Sequence, residues 1–151
     1  MSVLEVHRHS VMGFEIPIPA GWEVTEHVQG TALVAVEPPR EQPHLRANVV
    51  VTVELIGDEA DVAAWEERSV AALADSFNRL RIIDDERVTI DGRDARRVLS
   101  HYVHGQFGGV CLDQWLLADG GAGFVVSCTT AALEYDDLWD LTTTVAEGLR
   151  P

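Results

Sequence analysis

The residues best grouped for proton chemistry are Glu134, Asp136, Asp137 and Asp140, which crowd together near the end of the chain. Paired carboxyls whose environments drive their pKa values apart can divide the general acid and general base roles. The spacing also has a structural use. Asp136 and Asp137 fall where the first turn of a last helix would begin, and there each stabilises the helix by about 0.3–1 kcal/mol through its dipole. His7-Arg8-His9 places two imidazoles on one face of an extended segment, and a third ligand would be needed to hold a metal. Near a terminus such histidines read as surface residues. His101 and His104 have opposite strand parity and share no sheet face unless a bulge intervenes.

Other chemistry fails on residue type. A Gly-x4-Gly-Lys-Ser/Thr phosphate cradle cannot occur, because the chain has no lysine. Gly121-Ala122-Gly123 lacks a third glycine and opens into an apolar strand, not a helix, which rules out the dinucleotide fingerprint. There is no nucleophile elbow, His-Glu-x-x-His or Cys-x-x-Cys. No catalytic set, metal or cofactor is assigned.

The acids are unevenly spread. The formal charge is -14, and from Val98 to Leu149 there is no arginine, while Asp113, Asp119, Glu134, Asp136, Asp137, Asp140 and Glu147 all fall there. A one-sign negative field repels nucleic acid and anionic lipid and favours a basic partner or a cation, while its plainer use is to keep the protein soluble. Trp139, beside these acids, is the aromatic anchor expected at the surface. Asp58, Glu59 and Asp61, at the start of an earlier helix, form a second acidic candidate. No apolar run approaches the roughly 18 residues of a membrane span, and the first residues lack a secretory h-region, so a cytoplasmic protein is expected. Cys111 and Cys128 are expected to be reduced and buried.

Those residues need a scaffold. Phe14, Ile16 and Ile18 alternate with Glu15, Pro17 and Pro19, which gives a short strand confined by its prolines to an edge or an end, turned by Ala20-Gly21 ahead of Trp22. Trp22–Val28 and Ala32–Glu37 read as strands around Gln29-Gly30, and a proline-rich loop follows from Pro38 to Pro43. In Asn48–Ile56, the residues Val49, Val51, Val53 and Leu55 line one face. Asp58 is the natural N-cap of a helix in which Trp65 and Leu73 face the sheet while Glu66 and Glu67 face water.

Asp91-Gly92 and Asp119-Gly120 signal two-residue hairpin turns. They join Arg87–Ile90 to Ala95–Val103 and Val110–Leu117 to Ala122–Thr129, and the second register sets Cys111 opposite Cys128. Tyr135, Leu138, Thr142, Val145 and Leu149 form a last helical stripe, although Thr142-Thr143-Thr144 lowers its intrinsic propensity. At 151 residues the whole reads as a single domain, 1–151. The fold class is α+β, a largely antiparallel sheet packed with helices.

This order of elements resembles the Mog/PsbP-like superfamily, and more narrowly the LpqN-type proteins of actinobacteria. The resemblance rests on Phe14-x-Ile16-Pro17-x-Pro19-x-Gly21-Trp22, Asn48-Val-Val-Val-Thr-Val-Glu54, Val88-Thr-Ile-Asp-Gly92 and a tyrosine-led last helix. It implies an antiparallel sheet between helices, in a family of binding proteins with no common catalytic centre. The family includes a Ran-binding import factor, a photosystem extrinsic subunit, envelope lipoproteins and chaperones of secretion effectors. A signal sequence and a lipidation cysteine, which mark the lipoprotein members, are not seen here.

The leading expectation is therefore a non-catalytic binding or adaptor module that uses Asp136, Asp137, Trp139 and Asp140, with Asp58, Glu59 and Asp61 second. A secretion-effector chaperone would need a long exposed apolar groove. A small-molecule carrier or cryptic enzyme would need a cavity between sheet and helix converging on His101, Tyr102 or Asp113. Oligomeric state is open, a dimer included.

Overall fold

Along the central strands two sets of apolar residues alternate, and the two sets lie on opposite faces of one sheet. The computed structural model describes residues 3–57 and 61–151. Its main sheet has seven strands: β3 (Glu23–Glu26), β4 (Leu33–Val36), β5 (Asn48–Leu55), β6 (Arg81–Ile90), β7 (Arg93–His104), β8 (Gly108–Asp119) and β9 (Ala122–Ala131). They lie in the order β3-β4-β5-β9-β8-β7-β6, every pair antiparallel. A separate hairpin joins β1 (Leu4–Arg8) to β2 (Glu15–Pro19). Helix α1 (Val62–Ser76) covers one face of the sheet, and α2 (Tyr135–Glu147) with the β1–β2 hairpin covers the other.

On the α2 side, Trp115, Leu117, Phe124 and Val126 meet Val145 and Leu149 from the C-terminal segment and Phe14, Ile16 and Ile18 from β2 and the residue before it. Alternate residues of the same strands, Val98, Leu112 and Leu116, pack under Trp65 and Leu73 of α1. The threonine run of α2 costs at most about 2 kcal/mol in propensity. Full burial of Val145 and Leu149 contributes about 3–6 kcal/mol, so packing wins.

The two hairpin turns differ from each other. Asp91 (φ 52°) and Gly92 (φ 74°) form the first as expected, with Ile90 opposite Arg93. In the second, the central residues are Gly120 (φ 56°) and Gly121 (φ 80°), with Asp119 opposite Ala122, not Asp119-Gly120. Successive glycines meet both positive φ values without a Cβ penalty, so the pair displaces the aspartate. The register moves with it, placing Cys111 opposite Thr130 and Cys128 opposite Asp113. The cysteines are not cross-strand partners; both are buried and free.

Other expectations are corrected. Leu55, the last residue of β5, is 90% exposed, while Ile56 beside it packs into the core on the α1 side. Glu66 does not face water; it is buried and accepts a hydrogen bond from Arg87. The first hairpin's strands are longer than expected, reaching back to Arg81 and on to His104. The edge strand β6 shifts register between Ile82 and Asp84 and carries Asp84, Asp85, Glu86 and Arg87, features that discourage edge-to-edge pairing.

Gly123 of β9 lies under the indole of Trp65, and a Cβ placed there would sit 2.6 Å from the ring. Gly123→Ala is therefore expected to destabilise the fold by about 1–3 kcal/mol through overpacking. Urea unfolding would read this as a lower midpoint at unchanged slope, while Gly105→Ala, in open space, should cost less.

Candidate functional site

Two residues in sequence fix the start of α2. Glu134 ends a 3-10 turn (Ala132–Glu134), and its carboxylate accepts hydrogen bonds from Arg40 (2.6 Å) and pairs with His44 (3.0 Å), stapling the proline-rich loop to the helix. Tyr135 then reaches inward. Its hydroxyl donates to Asp113 Oδ2 (3.3 Å) and accepts from Arg97 Nη2 (3.0 Å). Arg97 forks onto Asp113 through Nε (2.9 Å) and Nη2 (2.8 Å), and its Nη1 donates to Glu86 (3.0 Å). The guanidinium also lies 5.6 Å from the Trp115 ring centroid, in cation–π range.

Burial opposes charge at this centre. It acts against the Arg97 guanidinium, yet the two-point contact with Asp113 and the bond to Glu86 together outweigh it and hold the group protonated above its ordinary range. It pushes the Asp113 carboxyl up, against the downward pull of Arg97, and raises the Tyr135 phenol with help from the Asp113 charge. The three groups bond to one another, and Arg97 also to Glu86. The arrangement ties helix to sheet, and no substrate-facing acid or base stands free in it.

Past Tyr135, α2 presents a different surface. Asp136, Asp137 and Asp140 are exposed, Trp139 is 40% exposed, and Leu133 just before the helix is 98% exposed. Among the described residues none of these three acids has a basic side chain within ion-pair distance. Most arginines are occupied elsewhere: Arg87, Arg93, Arg96, Arg97 and Arg150 by acids of α1 and β6–β8 and of the β6–β7 turn, Arg40 and Arg46 around the proline-rich loop. The predicted residues of α2 are thus together on one face. Asp61 is exposed at the start of α1, which lies against the opposite side of the sheet, and its side chain makes no capping bond. Asp58 and Glu59 lie outside the described residues.

The histidine motif is a structural lock rather than surface. His9 is buried, with Nε2 donating to the Ala32 carbonyl (3.0 Å) and Nδ1 accepting the N–H groups of Val11 (3.2 Å) and Met12 (3.0 Å). Neither ring nitrogen is left for a metal. Among the described residues no group of three or more His, Cys, Asp or Glu is placed to hold one. Glu26 accepts from the Ser10 hydroxyl (2.6 Å), the Ser10 amide (2.9 Å) and His7 (3.1 Å).

A cleft of about 620 Å³ opens at the other end of the sheet, beside Ile56, Arg87, Arg93 and the Gly120-Gly121 turn. His101, Tyr102 and Asp113 do not line it, so it is not the cavity a carrier was expected to show. Sequence reasoning missed the Arg97–Asp113–Tyr135 centre. Its only sequence signal was an arginine and an aspartate at matching parity on neighbouring strands.

No family model matches the chain, and no curated protein matches it. Solved structures do. The solution structure of cyanobacterial PsbP from Synechocystis superposes with TM-score 0.73 at 16% identity, covering 99% of this chain and 93% of that one. LpqN of Mycobacterium tuberculosis, described as involved in cell envelope biogenesis, gives 0.70 at 16%, covering 99% and 91%. The Saccharomyces cerevisiae Ran-binding protein Mog1p gives 0.68 at 12%, covering 99% and 96%. The chain has the Mog/PsbP-like fold, as its motifs suggested, with LpqN among its structural neighbours.

Two outcomes are expected. Arg97→Ala should destabilise by about 3–5 kcal/mol, since it leaves Asp113 buried without its partner, whereas Arg97→Leu combined with Asp113→Leu should recover much of that loss; chemical denaturation of the mutant cycle checks it. The hydrogen bonds from Ser10, with His7 behind them, hold the Glu26 carboxyl down at about 2 from an ordinary 4.5. A depressed carboxyl stabilises the fold above its ordinary value and loses that contribution as pH falls through the depressed one. Protection of the Ser10 amide from hydrogen exchange should therefore decline between pH 4.5 and 2, and in Glu26→Gln it should be low and flat across that range.

Proposed function

We propose that this protein is a non-catalytic protein-binding module and that α2 supplies its contact surface, for a partner carrying basic residues. One observation carries the reading. Asp136, Asp137 and Asp140 are exposed on α2 together with Trp139, with the exposed Leu133 just before the helix, and have no cation of their own among the described residues. Exposed carboxylates with an aromatic between them offer a cationic partner both steering and an anchor to bury.

The surrounding fold supports the same reading. Buried titratable groups at Arg97, Asp113 and Tyr135 are used up in mutual bonds. The structural neighbours include a protein described as Ran-binding, which is in keeping with a role in protein contact here.

An affinity capture from native cell extract, at low and high salt, tests the proposal with Asp136→Arg/Asp137→Arg as the control. The expected result is a defined partner held by the wild type, released by salt and lost in the reversal. Equal capture by both proteins, with folding confirmed by circular dichroism, overturns the placement on α2.

A further inference from the structure

Arg79 and Arg81 are the only arginines without a carboxylate in ion-pair distance among the described residues, and both are exposed. They open the edge strand β6 and its approach, in the run Arg79-Leu80-Arg81-Ile82-Ile83. Leu80 is anchored against the α1-side core, while Ile82 and Ile83 stand 46% and 60% exposed. The run therefore offers free cations interleaved with free apolar side chains. It complements Leu133, Asp136, Asp137, Trp139 and Asp140, which offer free anions interleaved with free apolar side chains.

We infer that the α2 surface receives a second copy of this chain, which inserts its Arg79–Ile83 segment. The inference rests on the reading of α2 as a contact surface and adds the partner's identity. Arg81 pairs across to His101, a residue of the same parity on β7 as Arg97, so Arg81 lies on the sheet face that α2 covers. One molecule thus presents the free cation of Arg81, with Arg79 two residues before it in the chain, at the rim of the same side that carries its free anions. Two such sides can exchange contacts about a twofold axis, each copy giving its arginines to the other's aspartates, which makes a closed dimer rather than a growing chain. Guanidinium groups suit the site, because they fork onto carboxylates and stack on an indole face.

Net charge opposes the association, since each copy carries -14. At physiological ionic strength the Debye length is about 8 Å, so charges remote from the contact are largely screened while those in it are not. The dimer should therefore be weak and sensitive to salt.

Sedimentation velocity across the micromolar to millimolar range tests it with two charge-reversed variants, Arg79→Glu/Arg81→Glu and Asp136→Arg/Asp137→Arg. Each alone should self-associate more weakly than wild type by about tenfold or more, as expected when several exposed ion pairs become like-charge contacts. Their equimolar mixture should restore association, because every reversed pair regains an opposite charge. A wild type that stays monomeric throughout, variants that associate as the wild type does, or a mixture no better than its parts would each overturn the inference. If it falls while capture from extract still depends on Asp136 and Asp137, the α2 surface stands with another partner.

Discussion

A charged guanidinium in the interior, at Arg97, sets the terms for the rest of this molecule. An uncompensated charge there would cost several kcal/mol, so Asp113 on the neighbouring strand must oppose it, and the carboxylate in turn takes the Tyr135 hydroxyl. Such a pair adds little net stability compared with a well-packed apolar substitute. Its effect here is positional. Tyr135 is the first residue of α2, so the helix begins where the phenol can reach the pair, and its outward face follows from that anchor.

The same economy of cations shapes the surface. With no lysine and eleven arginines, the positive charge of Arg87, Arg93, Arg96 and Arg97 is spent holding strands β6 to β8 to one another and to α1. Arg96 bridges Asp85 of β6 and Glu67 of α1, and Arg87 bridges Glu66 and Asp94. What remains at α2 is uncompensated negative charge, and what remains near the start of β6 is uncompensated positive charge. The polarity of the surface is thus a by-product of where the fold needs its ion pairs.

Local signals in the sequence were readable and distant ones were not. Asp91-Gly92 named its turn because both central residues carry the signal themselves, and Trp65 and Leu73 named the buried stripe of α1 through spacing alone. Asp119-Gly120 misled by one residue, because a third position, Gly121, competed for the same turn. Glu66 and His9 read as solvent-facing from type and place, yet each is buried by a partner far along the chain, Arg87 and the Ala32 carbonyl. The α2 acids were legible as a group since a helix keeps neighbours together. The Arg97–Asp113–Tyr135 centre joins three elements and has no local trace.

The sheet's strand order carries a kinetic consequence. From β6 to β9 each strand pairs with the next in the chain, a meander that closes through short turns. Strand β5 instead lies against β9, with Leu55 opposite Ala122, so that pairing encloses α1 and the whole meander. Contacts between residues so far apart demand loop closure before they return any energy, and proteins rich in them fold slowly. The meander should assemble first and β5 dock onto its completed edge, bringing β4 and β3 with it. Until then β9 is itself an edge, with Val126 and Cys128 uncovered on the side that β5, α2 and the hairpin later close, and this intermediate is where association with the wrong strand would begin.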